Sequence, residues 1–590
     1  MPEQATELRR IHWQECFSFT RLLDAFKLAI HPSKLVLAVA GLLVTVLWGG
    51  CLDLCWPDVY RPIGDEVNAF WQVSDLDVWR VESQAAQGEC LADAYRRLTR
   101  LGYSPPADLD RQIQQRPDAM LAKAMIEVQD LYEAAARKLS GIEDDVQRCR
   151  QAAEQAQTYR ALYADLAAMK PRGVFGSLLS YEHTVLLQLA DAARSLNFTG
   201  QFEEVLAARS RWGGEGDARS PEGQSRMLIH PRTGPDGIGV LPSLLLMLRG
   251  VEWLVTRHVV FAVLLLAGML AVWALLGGAI CRMAALNVAR DERIPIKDAL
   301  VFARRKWLGL IGAPLMPVGM VAAVGICLVV GGLVCSVPYL GELVGGLLLF
   351  LSLAGGVVIA LVVVGAVGGG SLMWPAIAVE GSDAFDAMSR SYSYAYSRPW
   401  RTVFYSAVLV VYGAIVYLLA RFFVLLSLKS ARWFLAAGAF ATERPGTGRP
   451  FATKIHAMWA NPTPEDLMPA VMPIGLQGWE AGGALLMQLW VFLLVLTAAG
   501  LLVSFYFSGA TIMYLLLRRK VDATDIEDVF VEEEGEEEPA VLPAAATGAA
   551  SGTEPAPVQA PQPAPPETGM REPPASAERP EPPAPSGPAA

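Results

Sequence analysis

Six apolar stretches constrain this chain before anything else does. They run approximately over 35–54, 258–281, 308–334, 343–374, 402–428 and 483–517, and a helix needs roughly 20 residues to cross the hydrocarbon core of a bilayer. Backbone polar groups in lipid must bond within their own segment, so runs this continuous predict membrane-spanning helices. Composition agrees, with 53% apolar residues and a mean hydropathy of +0.33. The fourth and sixth stretches are longer than one crossing and must tilt, break or run past the bilayer.

Charge sets the orientation. Residues 521–590 carry 15 acidic and 2 basic side chains, leaving 44 acidic and 47 basic for the rest. The net charge of −10 is therefore a property of the tail. With no basic stripe, nucleic acid is not an expected partner. Basic residues gather instead before span one (Arg9, Arg10, Arg21, Lys27, Lys34), after span two (Arg282, Arg290, Arg293, Lys297, Arg304, Arg305, Lys306), after span four (Arg390, Arg398, Arg401) and after span six (Arg518, Arg519, Lys520). The positive-inside rule puts all four on the cytoplasmic side of the cytoplasmic (inner) membrane, with both termini. Glu3, Glu7 and Glu15 interrupt the N-terminus, which does not read as a cleavable signal.

The spans then pair into three in-out-in hairpins, and one arrangement precedes each outgoing span. Asp24-Ala25-Phe26, Asp298-Ala299-Leu300 and Asp386-Ala387-Met388 each lie in a short amphipathic stretch followed by a basic or aromatic cluster. The dipeptide recurs elsewhere, so its placement carries the reading: an internal repeat of hairpin modules. Each returning span ends in small residues, Gly277-Gly278, Gly368-Gly369-Gly370 and Gly509, which would let helix backbones approach closely. The clusters Arg304, Arg305, Lys306, Trp307 and Arg398, Trp400, Arg401 are the candidate contacts for lipid headgroups or a protein partner.

Between spans one and two, residues 57–257 read as a helical extracytoplasmic domain. Apolar spacing over 118–170 (Met120, Ala124, Ile126, Leu131, then Tyr159, Leu162, Leu166) predicts a coiled-coil-like hairpin broken near Gly141. A helix over about 240–256 (Leu241, Leu244, Leu245, Leu248, Trp253) should lie on the outer leaflet. Cys90 and Cys149 share this domain, but spacing alone does not pair them. After Lys520 an acidic run, Glu532–Glu538, leads into residues 539–590, which hold 15 of the 39 prolines and read as a disordered tail.

Catalytic patterns are missing. The six histidines show no metal-ligand spacing, and no HExxH, Walker A loop or GxSxG elbow occurs. Neither metal nor other cofactor is expected. The span interiors are almost free of ionisable groups, Arg421 excepted, which argues against ion-coupled transport and intramembrane proteolysis.

The stretch from Trp374-Pro375-Ala376 and Glu380 through Asp386-Ala387-Met388-Ser389-Arg390 to Pro399-Trp400 is similar to a loop in the membrane domain attached to some glycerophosphodiester phosphodiesterases, over about 30 residues. Their catalytic barrel and its carboxylates have no counterpart here, so that activity is not implied. As a whole the chain resembles uncharacterised multi-span envelope proteins of planctomycete-type bacteria.

The expected organisation is an all-α membrane protein. It comprises an amphipathic segment 1–34, transmembrane helix 35–54, the extracytoplasmic domain 57–257, a five-helix remainder 258–517 and a tail 518–590. The expected function is a non-enzymatic envelope scaffold or assembly factor. The alternatives are a permease subunit working with a separate ATPase and an enzyme acting on lipid headgroups.

Overall fold

A computed structural model describes residues 18–57, 60–73, 75–139, 157–159, 161–167, 169–170, 172–203, 205–206, 237–336, 340–438, 455, 458–464, 466–469 and 478–530. The acidic run and the Pro-rich tail lie outside these residues, as do the break at Gly141 and the turn between spans three and four. The chain divides into two units, Met1–Phe530 and Val531–Ala590, and every described residue belongs to the first.

Among the described residues there is no strand. In chain order the α-helices are α1 (Asp24–Ala29), α2 (Pro32–Cys55), α3 (Glu66–Gln72), α4 (Leu76–Arg100), α5 (Leu109–Gln115), α6 (Pro117–Leu139), α7 (Val174–Arg194), α8 (Val240–Arg257), α9 (Val259–Arg290), α10 (Ile296–Arg305), α11 (Trp307–Cys335), α12 (Leu340–Gly369), α13 (Met373–Glu380), α14 (Ala384–Ser397), α15 (Pro399–Ala437) and α16 (Gly478–Val521). Six of them, α2, α9, α11, α12, α15 and α16, are long and apolar enough to cross a membrane, which makes this a multi-pass membrane protein.

The spans outrun their apolar stretches at one end of the bundle, its base, which carries Asp24, Asp298, Asp386 and Phe530. Helix α9 continues past residue 281 to Arg290 because Cys281–Leu286 and Ala289 are buried there. The overlong fourth stretch breaks: after Gly369 a 3-10 turn, Gly370–Leu372, redirects the chain into α13, whose apolar side chains are buried. Helix α16 runs on to Val521, and residues 522–530 then fold back onto the base, burying Ile526 and Val529. Ordered structure thus extends past the boundary drawn at 518.

Spans pair as α2 with α9, α11 with α12 and α15 with α16. The three returning helices, α9, α12–α13 and α16, also touch one another at the base and form its centre. Each ends in a left-handed residue: Asp291 (φ 53°), Gly381 (φ 64°) and, just after α16, Ala523 (φ 55°). Such a cap turns the chain sharply while satisfying late helix carbonyls.

Between α2 and α9 sits an inserted helical domain. Asp53, at the end of span one, accepts from the backbone N–H groups of Phe175 and Gly176, both at 2.9 Å, and so caps the start of α7. Met120, Ala124, Tyr159, Leu162 and Leu166 share a core with Leu91, Tyr95 and Leu98 of α4, as their spacing predicts. Ile126 does not join them and is 61% exposed. Helix α4 begins at Leu76, where Asp75 caps it by accepting from the N–H groups of Asp77 and Val78. In α8, Leu241, Leu244 and Leu248 are exposed together, whereas Trp253 turns inward against Phe261 and Val67. Cys90 is a free thiol, and Cys149 lies outside the described residues.

Two titratable groups make this domain pH-sensitive in opposite directions. Both carboxyl oxygens of Glu182 on α7 are buried without a hydrogen-bond partner, and burial pushes the group up to about 7. His258, with its ring 4.8 Å from that of Trp253, is pushed down to about 4 by burial, then by Arg80 and Arg257. A raised carboxyl contributes stability that is complete below its unfolded value of 4.5 and lost as pH rises through 7. A lowered histidine costs stability as pH falls from 6.5 toward 4. Glu182→Gln is therefore expected to remove the loss on the rising side, on the order of 1 kcal/mol after allowing for solvent screening, and to leave the acid-side loss intact. Thermal midpoints of both proteins across this range check it.

Candidate functional site: the base of the bundle

The three Asp-Ala segments form α1, α10 and the start of α14. In each the Asp is exposed and the Ala fully buried, and a second small residue four positions on (Ala29, Ala303, Ser391) is fully buried too. Small residues one turn apart bring helix backbones into contact. Helix α1 rests on α16, α10 on α9, and α14 on α12 and α13. Each interfacial helix thus lies on the returning span of the hairpin before its own, and α1 closes the ring.

The glycines take unequal parts in this. A Cβ at Gly277 would meet Phe507 at 2.7 Å and Trp374 at 3.0 Å, one at Gly278 would meet Leu310 at 2.6 Å, and one at Gly509 would meet Leu409 at 2.8 Å. A Cβ at Gly369 would meet the Ser391 carbonyl at 2.9 Å, and one at Gly368 would meet Ala395 at an ordinary 3.5 Å. Gly370 is not a packing glycine: nothing lies within 4 Å of its Cβ position, because it starts the 3-10 turn.

The predicted contact residues separate. Arg304, Arg305, Arg398 and Arg401 are exposed, and Trp400 is 84% exposed, so these remain surface groups. Lys306 and Trp307 turn into structure. Lys306 donates to the Gly381 carbonyl and stands 5.9 Å from the Phe530 ring, while Trp307 Nε1 donates to Ala271 at 3.1 Å.

At the centre of the base lie charges that the sequence leaves among the loop residues. Arg282 is buried on α9 and donates to the Ala378 carbonyl at 2.8 Å and to the Phe530 carbonyl at 2.7 Å, with its guanidinium 4.5 Å above the Phe302 ring. The Phe530 N–H returns a bond to the Val379 carbonyl at 2.8 Å, and the Phe530 ring covers Gly381. Beside this contact Glu380 meets Arg390 at 2.7 Å and Arg518 at 3.3 Å and accepts from Tyr514. Arg518 donates to the Asp528 carbonyl at 2.6 Å, and Tyr394 donates to Asp522. Residues 522–530 are thereby strapped across all three returning helices. A signal for Arg282 does exist: it stands between Ala279 and Leu286 in an otherwise apolar stretch, where an exposed charge has no room. Arg421, the one charge expected inside a span, holds the Pro464 carbonyl at 2.8 Å rather than reaching only for water.

The inserted domain holds a cavity of about 1200 Å³ lined by, among others, Asn68, Asp93, Arg97, Ser177, Thr184 and Gln188. Gln188 is 4% exposed, and its side-chain oxygen has no partner. Among the described residues no group of three His, Cys, Asp or Glu side chains could hold a metal. Comparison of the chain with family models, curated proteins and solved structures gives no match.

Proposed function

We propose that this chain is a non-enzymatic scaffold of the cytoplasmic membrane, built from three repeated in-out-in hairpins with both termini in the cytoplasm. The observation that carries the reading is the base. Its three returning helices meet through glycines and apolar side chains, its central charges Arg282, Glu380, Arg390 and Arg518 are held by bonds within the chain, and the strap 522–530 lies across them. An arrangement that spends its polar groups on internal bonds is suited to holding a fixed shape. A permease would draw support from a continuous polar path between the hairpins, whereas the returning helices meet here largely through apolar side chains, with Arg282 held by the Ala378 and Phe530 carbonyls.

On this reading the ring of α1, α10 and α14 lies in the cytoplasmic interface. Arg304, Arg305, Arg398, Trp400 and Arg401 on its rim contact anionic headgroups or a protein partner. The inserted domain faces the envelope space, where its cavity offers a second place for a partner.

Reversing the charge of Arg304, Arg305, Arg398 and Arg401 together should lower binding to vesicles containing anionic lipid by at least tenfold, at about 1 kcal/mol per basic residue, while the thermal midpoint stays near that of the parent. Flotation assays and crosslinking from the 284–306 loop check this. Unchanged vesicle binding together with unchanged crosslinks would sink the scaffold-contact reading.

A further inference from the structure

Lys34 opens span one in the first turn of α2, and its side chain is turned into the protein. The residue is 2% exposed, and its ammonium has no hydrogen-bond partner. It lies within range of the charges of His31 and Arg293, and of the buried thiol of Cys281. No carboxylate is among the groups that act on Lys34 or His31. Among the described residues this buried ammonium faces a second cation, a histidine and a thiol, and burial without a countercharge is unfavourable.

The neighbouring hairpin shows what an equivalent lysine does. Lys306 also stands at the junction of an interfacial helix and an outgoing span, and it donates to the carbonyl of Gly381, the left-handed end of its own returning helix. In the first hairpin the returning helix ends in left-handed Asp291, and two residues on comes Arg293. Where Lys306 meets an acceptor, Lys34 meets a cation. The start of the 24-residue helix α2 adds its own partial positive charge at the same point.

We propose that Lys34, His31 and Arg293 form a binding site for a phosphate group at the base of span one. The phosphate belongs either to a lipid headgroup or to inorganic phosphate, which present the same tetrahedral oxygens to two cations and a ring N–H. The four-carbon stem of Lys34 lets its ammonium turn toward His31 and Arg293 from an unmoved backbone. His31 supplies a ring nitrogen at the N-cap of α2, and Arg293 closes the site from the loop after α9.

The test uses the full chain and the variants Lys34→Met, Arg293→Gln and, as a nearby exposed control, Lys297→Gln. Each protein is extracted from vesicles of phosphatidylcholine containing phosphatidylglycerol, and retained phospholipid is read by native mass spectrometry. In a second arm, lipid-free protein in neutral detergent is titrated with inorganic phosphate, with chloride at matched ionic strength, and the thermal midpoint is read. Lipid retention without a phosphate response identifies the headgroup, and the reverse identifies free phosphate. In either case the effect should fall at least tenfold in Lys34→Met and Arg293→Gln and persist in Lys297→Gln. Loss in all three variants would mean a diffuse basic surface and overturn the site. So would a parent that shows neither effect, or a Lys34→Met protein that is stabilised with its lipid and phosphate behaviour unchanged. If Lys34→Met does not fold, exposed Arg293 decides.

Discussion

Replacing Arg282 by methionine is expected to release residues 522–530 from the base and to destabilise the protein by about 2–4 kcal/mol, from the loss of two hydrogen bonds made by a charged donor. Methionine fills much of the same volume but donates nothing. The carbonyls of Ala378 and Phe530 would lose charge-assisted bonds of 2.8 and 2.7 Å, and Phe302 would lose the guanidinium above its ring. The loss is cooperative, because Phe530 is also held by the Val379 carbonyl and by the space over Gly381. Once the Phe530 carbonyl loses this donor, water can take its place and the strap is free to leave. Hydrogen exchange read on a peptide spanning 522–530 checks this directly: protection in the parent, rapid exchange in the variant. A strap still protected in Arg282→Met would show that Val529 and Ile526 hold it by apolar contact alone.

Valine at position 277 is the second large effect expected. The new Cβ would stand 2.7 Å from Phe507, closer than real Cβ contacts come, and a tight 3.0 Å from Trp374. Neither ring can step aside freely. They are stacked at 5.6 Å with an interplanar angle of 24°, and Trp273 lies 5.9 Å beyond Phe507. Those rings belong to the three returning helices, so relief must come from moving whole helices. In lipid, helices are held by such close packing and not by exclusion of water, and the expected cost is at least the 1–3 kcal/mol of an overpacked core. Gly370→Ala is the matched control, since open space surrounds its Cβ position, and its thermal midpoint should stay within the change of about 0.5 kcal/mol usual for surface substitutions. Equal effects at the two positions would refute the packing argument.

What the residues foretell and what they hide depends on how many partners each needs. Six apolar runs announce six spans because hydropathy is a property of one segment. The Asp-Ala segments are legible for the same reason: an exposed Asp and a buried Ala are set by the helix on which both sit. Arg282 and Lys34 are not legible by that route. Both belong to basic clusters of the kind used to read orientation, and counting charges cannot tell which of a cluster turns inward. For Arg282 the difference is made by a distant residue, Phe530. The strap is hidden in the same way. Residues 522–530 look like the start of an acidic tail, and only Ile526, Val529 and Phe530, spaced to reach one surface, separate them from it.

Arg282 and Phe530 stand 248 positions apart. Phe530 lies beyond the end of the sixth span, so Arg282 is synthesised four spans before the carbonyl it will grip exists. During translation the middle of the base stays open and its guanidinium stays half-bonded until the last crossing is in place. Chains that stall or are cleaved anywhere before residue 530 share this single defect, whatever else they have folded. The contact therefore reports, at one buried arginine, whether the membrane body has been made to its end.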